Sequence, residues 1–221
     1  MKFYNYLNEE SFEKKIEKLK IECAPFLKTI KNSSNLIYSG RNLSDPIIRK
    51  KIRKNRVPRD MPLEIHKMFD NEFKKKMGIK VRSNGVFITK SEYTAESYGD
   101  LYYVFPSGKN YKIIYSPKVE DLYDVIENKV RKYVKTNHIE LYSYIEYDFS
   151  RFSNIDLKKV PDLKNFIEKE VKDLISTYKI TNKILPSIEI EIEMVLICDY
   201  IWLLDFESMP LSDILEMAKS I

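Results

Sequence analysis

The chain has 221 residues, 43% hydrophobic and 32% charged, with 11 Phe, 16 Tyr and a formal net charge of +5. That length and balance predict one globular domain with a real core and exclude a disordered chain; no window approaches the roughly 18 uninterrupted apolar residues of a membrane helix, and the start MKFYNYLNEESFEKK has no apolar leader segment, so a cytoplasmic protein without membrane association is expected. Cys23 and Cys198 lie far apart in apolar periodic segments and read as buried thiols, and with only His66 and His138 as histidines neither a His-based metal site nor a Ser-His-Asp relay is expected.

In chain order, Phe12, Ile16, Leu19, Cys23, Phe26, Leu27 and Ile30 recur at helical spacing and predict an amphipathic helix over about 10–31, with Pro25 as a candidate kink. Asn35 to Tyr38 reads as a short strand ended by Ser39-Gly40, and a basic segment, Arg49 to Arg59, follows it. Asp60 is the expected N-cap of a helix through Lys76 that presents Leu63, His66, Phe69, Phe73 and Met77 on one face and stops at Gly78. A strand at Gly85 to Ile88, a short helix from Ser91 to Tyr98 closed by Gly99, and strands at Leu101 to Phe105 and Tyr111 to Tyr115 come next. Ser116-Pro117 is the expected start of a helix carrying Leu122, Val125, Ile126 and Val130, and a further helix runs from about Pro161 to Tyr178, so that about 117–180 forms a helical insertion. Ile188 to Leu204 predicts two strands turning near Asp199, before a short helix from Leu211. Helices and strands do not alternate regularly, which favours α+β over α/β; GxGxxG and GxxxxGK[ST] are both missing, so any nucleotide is held by something other than a Rossmann or P-loop turn.

All five glycines fall between Gly40 and Gly108, placing the tight corners in less than a third of the chain. Three segments stand out. The first is Leu36-Ile37-Tyr38-Ser39-Gly40-Arg41, the second Gly85-Val86-Phe87-Ile88-Thr89-Lys90-Ser91 continuing to Tyr98-Gly99, and the third Glu189-Ile190-Glu191-Ile192-Glu193-Met194-Val195-Leu196. In the third, the glutamates share one face of a strand and the isoleucines the other, and Glu193 sits where the strand enters the interior. A carboxylate at such a boundary is partly desolvated and still able to reach a ligand; an exposed edge strand guarded by glutamates is the structural alternative.

Together the three segments resemble the ADP-ribosyltransferase superfamily in its arginine, Ser-Thr-Ser and Glu-x-Glu form, and loosely its phage-encoded relatives, over residues 35–105 and 188–205. The resemblance implies mixed or antiparallel sheets around a cleft with flanking helices, in a single domain spanning 1–221, with NAD as cofactor and substrate. By matching, Tyr38, Gly40 and Arg41 would serve the NAD phosphates and nicotinamide, Thr89 and Ser91 would support the active site, and Glu193 would be catalytic with Glu191 activating an arginine acceptor. Phe87, Tyr93 and Tyr98 are candidates to stack on nicotinamide. The chain departs from the pattern in placing Ser39 between aromatic and glycine, with Arg41 after the glycine, and Lys90 in the middle of the hydroxyl triplet. Few residues suffice, because breaking the nicotinamide-ribose bond builds positive charge on the ribose that one carboxylate can stabilise, and the arginine fork suits a diphosphate.

The acceptor would be a protein or a nucleic acid, in the host cytoplasm for a phage-encoded chain. The run Arg49, Lys50, Lys51, Arg53, Lys54, Arg56, Arg59 carries seven positive charges and no acidic residue, and supports the competing expectation of a non-enzymatic accessory or virion protein binding nucleic acid; a solvated loop is the plainer reading. A catalytically dead descendant of the enzyme fold is a third.

Overall fold

The computed structural model describes residues 10–31, 36–57, 61–183 and 192–221. The first helix, α1 (Phe12–Ile30), begins where the Ser11 hydroxyl accepts the Lys14 N–H, and it buries Ile16, Leu19, Cys23, Phe26, Leu27 and Ile30, running on through Pro25. Two four-stranded sheets follow. One has the order β1 (Tyr38–Arg41), β4 (Asp100–Pro106), β8 (Tyr200–Asp205), β2 (Ile47–Lys51); the other has the order β3 (Val86–Ile88), β7 (Met194–Ile197), β5 (Lys112–Tyr115), β6 (Lys179–Thr181). All six ladders among the described residues are antiparallel. The architecture is therefore α+β.

Central position explains composition: β4 and β8 pair on both edges and are buried along almost their whole length, so both faces are apolar. In β7, by contrast, the faces separate. Met194 and Leu196 join the first sheet, α1 and α8 (Leu211–Lys219) in one apolar cluster, whereas Val195 joins a second cluster built on α2 (Leu63–Met77), α5 (Leu122–Asn137) and α7 (Pro161–Ser176). Ile113 and Ile114 of β5 divide in the same way. The helical stretch also includes α6 (Ile139–Ile145) and two 3-10 turns, Phe149–Asn154 and Leu157–Lys159.

The sheets touch where β1 passes β3. Tyr38 and Thr89 exchange both backbone hydrogen bonds, at 2.8 and 3.0 Å, so the two glycine-bearing segments are held edge to edge. Gly40 is required there: a Cβ at that position would stand 1.9 Å from the Ala95 carbonyl oxygen of α4 (Glu92–Glu96).

Several expected boundaries move. The basic segment begins as an edge strand rather than a loop, since Ile47, Ile48 and their neighbours pair with β8. The helix expected from Ser116-Pro117 starts at Leu122, capped by Asp121, whose carboxylate accepts the Tyr123 and Asp124 N–H groups. Ser116 instead closes a local turn onto Lys118 N–H and bonds Thr177 Oγ1 at 2.7 Å. Asp60 lies outside the described residues; α2 follows Pro62 and ends as expected on Gly78, at φ 75°. The last two strands turn at Cys198 and Asp199, and of the expected Ile188–Leu204 stretch residues 188–191 lie outside the described residues.

Candidate functional site

Glu193 immediately precedes β7, tied by its N–H to the Glu120 carbonyl at 2.8 Å. Its side chain is 18% exposed and meets Arg82, whose Nη1 stands 3.5 Å from Glu193 Oε1, within ion-pair reach but long for a hydrogen bond. Burial pushes the Glu193 carboxyl up; Arg82 and Arg56 oppose that, Asp121 and Asp124 reinforce it, and the group settles at about 7. The Tyr178 hydroxyl, buried without a hydrogen-bond partner among the described residues, feels the same carboxylate, and burial pushes its phenol well above the ordinary value.

Arg82 belongs to α3 (Val81–Asn84), a single turn held from below by Asp70 of α2. Asp70 Oδ1 accepts the Arg82 N–H at 2.9 Å and the Ser83 N–H at 3.3 Å, and Oδ2 accepts the Ser83 hydroxyl. His66 Nε2 lies 3.0 Å from Ser83 Oγ and 3.4 Å from Asp70 Oδ2. Because Ser83 spends its hydrogen on Asp70, His66 Nε2 is the donor to Ser83. These three side chains are buried. Burial raises the Asp70 carboxyl, but the bonds from His66 and Ser83 outweigh it and hold the group below its ordinary value. The same clamp reaches Arg56, whose N–H donates to the Ser83 carbonyl at 3.0 Å. Both guanidinium groups then rest on one ring: Arg56 is 4.5 Å and Arg82 4.8 Å from the centre of Phe87.

No protein-family model, curated protein or solved structure matches the chain. The geometry therefore speaks for itself.

Of the residues singled out in the sequence, Phe87 lies under both Arg56 and Arg82, and Glu193 meets Arg82. Arg56 feels Arg82, Arg41 and Glu193; the β3–β7 ladder ends at the Ile88–Met194 pair, after which Thr89 bonds the Tyr38 backbone and the Glu193 N–H turns to Glu120. Arg41 Nε is buried without a hydrogen-bond partner among the described residues, and burial lowers the proton affinity of this guanidinium. Thr89 Oγ1 accepts the Ser91 N–H at 3.1 Å, and Ser91 Oγ caps α4 by accepting the Thr94 N–H at 3.0 Å. Ser91 is thus a turn residue that shapes the segment after β3.

Others are placed elsewhere. The Tyr38 ring turns into the core against Tyr103, 5.5 Å away, and its hydroxyl donates to Glu92 at 2.9 Å, so it contributes its backbone to the joint between sheets. Tyr93 and Tyr98 are exposed. Glu189 and Glu191 lie outside the described residues. The basic run is divided: Arg49 pairs with Glu22 at 2.8 Å and covers Tyr200, Lys51 also lies over Tyr200, and Lys54 faces Asp199 at 3.6 Å. Lys50 feels Arg41 and Arg53, and burial is the main cause of its lowered proton affinity.

Sequence reasoning missed Arg82, Asp70, Ser83 and Tyr178. One signal was available: Asp70 follows His66 by four residues and so shares the buried face of α2. A cavity of about 540 Å³ lies between α1 and β2, lined by Lys15, Glu22, Ile48, Arg49 and Trp202, and one of about 490 Å³ between α2 and α7; neither touches Glu193. Among the described residues no group of three His, Cys, Asp or Glu is placed to hold a metal ion, and no helix is long and apolar enough to cross a membrane.

Proposed function

We propose that the chain is an NAD-dependent mono-ADP-ribosyltransferase that modifies a macromolecular acceptor, a protein arginine being favoured. The observation that carries this reading is one largely buried carboxylate, Glu193, within ion-pair reach of Arg82, which shares the Phe87 ring with Arg56. In this reading the arginines hold the diphosphate and Glu193 faces the ribose. The nicotinamide-ribose C–N bond breaks and nicotinamide leaves with the electron pair. Positive charge then develops on the sugar, where the Glu193 carboxylate stabilises it, and an acceptor nitrogen captures that carbon and releases its proton. Glu193 is only partly ionised near neutrality, so the productive ionised form grows as pH rises through about 7.

The test is incubation of the full chain with NAD labelled in the adenosine half, with a cell extract as acceptor source, against Glu193→Gln. Label on macromolecules and free nicotinamide, both reduced at least about 100-fold in Glu193→Gln, are expected. Equal signal from wild type and Glu193→Gln, or none from either, overturns the assignment. In that case the accessory, nucleic-acid-binding reading predicts salt-steep binding lost on neutralising Lys50, Lys51, Arg53 and Arg56 and indifferent to Glu193.

A further inference from the structure

We infer that the outer edge of β2 is a docking site for an extended acidic peptide, which adds to the first sheet as a further strand. Three observations support it. The first is an open ladder edge. Among the described residues β2 ends the first sheet and pairs with β8 alone. The Asp205 N–H donates to the Pro46 carbonyl at 2.8 Å and the Ile52 N–H to the Asp199 carbonyl at 2.9 Å, in step with the register that pairs Ile48 with Leu203 and Lys50 with Ile201. Even-numbered residues therefore spend their backbone groups on β8, and the backbone groups of Ile47, Arg49 and Lys51 turn outward. The Ile47 carbonyl accepts from the Lys15 ammonium at 3.4 Å, and the remaining outward groups have no partner among the described residues.

The second observation is charge. Arg49, Lys50, Lys51 and Arg53 are all exposed, and no acidic residue stands between Ile47 and Arg59. Arg49 is matched by Glu22 and Lys54 by Asp199, whereas Lys50, Lys51 and Arg53 form no ion pair among the described residues. Two copies of this edge would bring like charges together, while carboxylates on a neighbouring strand would meet them favourably. The third is a groove along the strand. The cavity of about 540 Å³ between α1 and β2 is walled by Lys15, Ile21, Ile47, Ile48 and Trp202. Ile21 is 76% exposed, although Ile16, Leu19, Leu27 and Ile30 of the same helix turn into the core. Alternate side chains of an added strand point toward this groove and cover its apolar wall. Backbone pairing then supplies affinity, and the groove and lysines select a segment that alternates apolar with acidic residues.

The site is independent of Glu193 and of the proposed chemistry. The probe is a fluorescein-labelled peptide of alternating valine and glutamate, about eight residues long, titrated into the full chain at low salt and followed by anisotropy. Binding is expected, and it weakens at least about tenfold when Lys50→Glu and Lys51→Glu are combined. Both lysines are exposed, so the circular dichroism of that variant is expected to match wild type. Two N-methylated peptides test the pairing without altering the protein. Methylating only the valines, or only the glutamates, removes the N–H groups from one edge of the peptide strand. One of the two is expected to lose affinity at least about tenfold and the other to keep it, because only one edge of an added strand meets β2. No binding of the parent peptide, retention by both methylated peptides or loss by both overturns the assignment. So does tighter binding of an oligothymidylate of matched charge that is lost in the same lysine variant, which makes the edge a nucleic-acid contact.

Discussion

Asp70 collects two backbone N–H groups and the Ser83 hydroxyl, with His66 alongside, whereas the Glu193 carboxylate, among the described residues, meets the 3.5 Å contact with Arg82 alone. Burial opposes ionisation in both. In the Asp70 pocket, hydrogen bonds to the charged form win and the carboxyl lies below its ordinary value; in the Glu193 pocket they do not, and the carboxyl rises to about 7. The difference separates a carboxylate whose acceptor capacity is used up in holding a turn from one whose capacity is still available to a ligand.

The largest effect is expected on breaking the satisfied pocket. Asp70→Ala strands two backbone N–H groups and a hydroxyl in the interior and releases the turn that carries Arg82, which predicts a loss of roughly 3 to 5 kcal/mol. Urea unfolding at pH 7 measures it, and a loss below about 1 kcal/mol breaks the contrast. The sign with pH follows from the lowered carboxyl. Its contribution is fully present above the unfolded value, near 4, and is lost as pH falls through the folded value, so Asp70→Asn flattens the acid limb of the stability curve.

Glu193 works in the opposite direction. Its folded carboxyl is raised, so the stability it contributes is present below the unfolded value, near 4.5, and is lost as pH rises through about 7. The shift corresponds to about 3 kcal/mol between pH 4.5 and 8. Glu193→Gln removes that slope, and paired urea titrations of wild type and variant at pH 5 and pH 8 report it. Parallel curves across that interval mean that the carboxylate is ionised throughout and the pocket is wetter than its 18% exposure indicates.

How much of this could be read in the sequence depends on the range of the interaction. Period-3.6 patterns gave α1 and the core of α2, and runs of β-branched and aromatic residues gave β4 and β8, because each is written locally. Glycine at position 40 was visible as a corner, though its reason, the Ala95 carbonyl against β1, depends on a helix fifty residues on. Arg49 to Arg56 read as one basic run because composition cannot show that Arg49 goes to Glu22, Lys54 to Asp199 and Arg56 to Phe87. Arg82 was invisible for a related reason. Its turn is four residues long, and what makes it matter is a carboxylate twelve residues before it and another more than a hundred after it.

The smallest effect concerns a group that neither carboxylate claims. Tyr178 Oη is buried without a partner among the described residues, in the neighbourhood of Glu193 and Arg82, and its ring already packs edge-on against Phe73 at 5.0 Å. Deleting the hydroxyl in Tyr178→Phe removes an unsatisfied polar atom and keeps the ring contact, so stability is expected to stay level or rise by up to about 1 kcal/mol. The outcome discriminates because a hydroxyl lost from Ser83, in the Asp70 pocket, is expected to lower stability by about 1 to 2 kcal/mol for the same change of one oxygen. If Tyr178→Phe instead loses as much as Ser83→Ala, the Glu193 side of Arg82 is as fully bonded as the Asp70 side, and no unused acceptor distinguishes the two pockets.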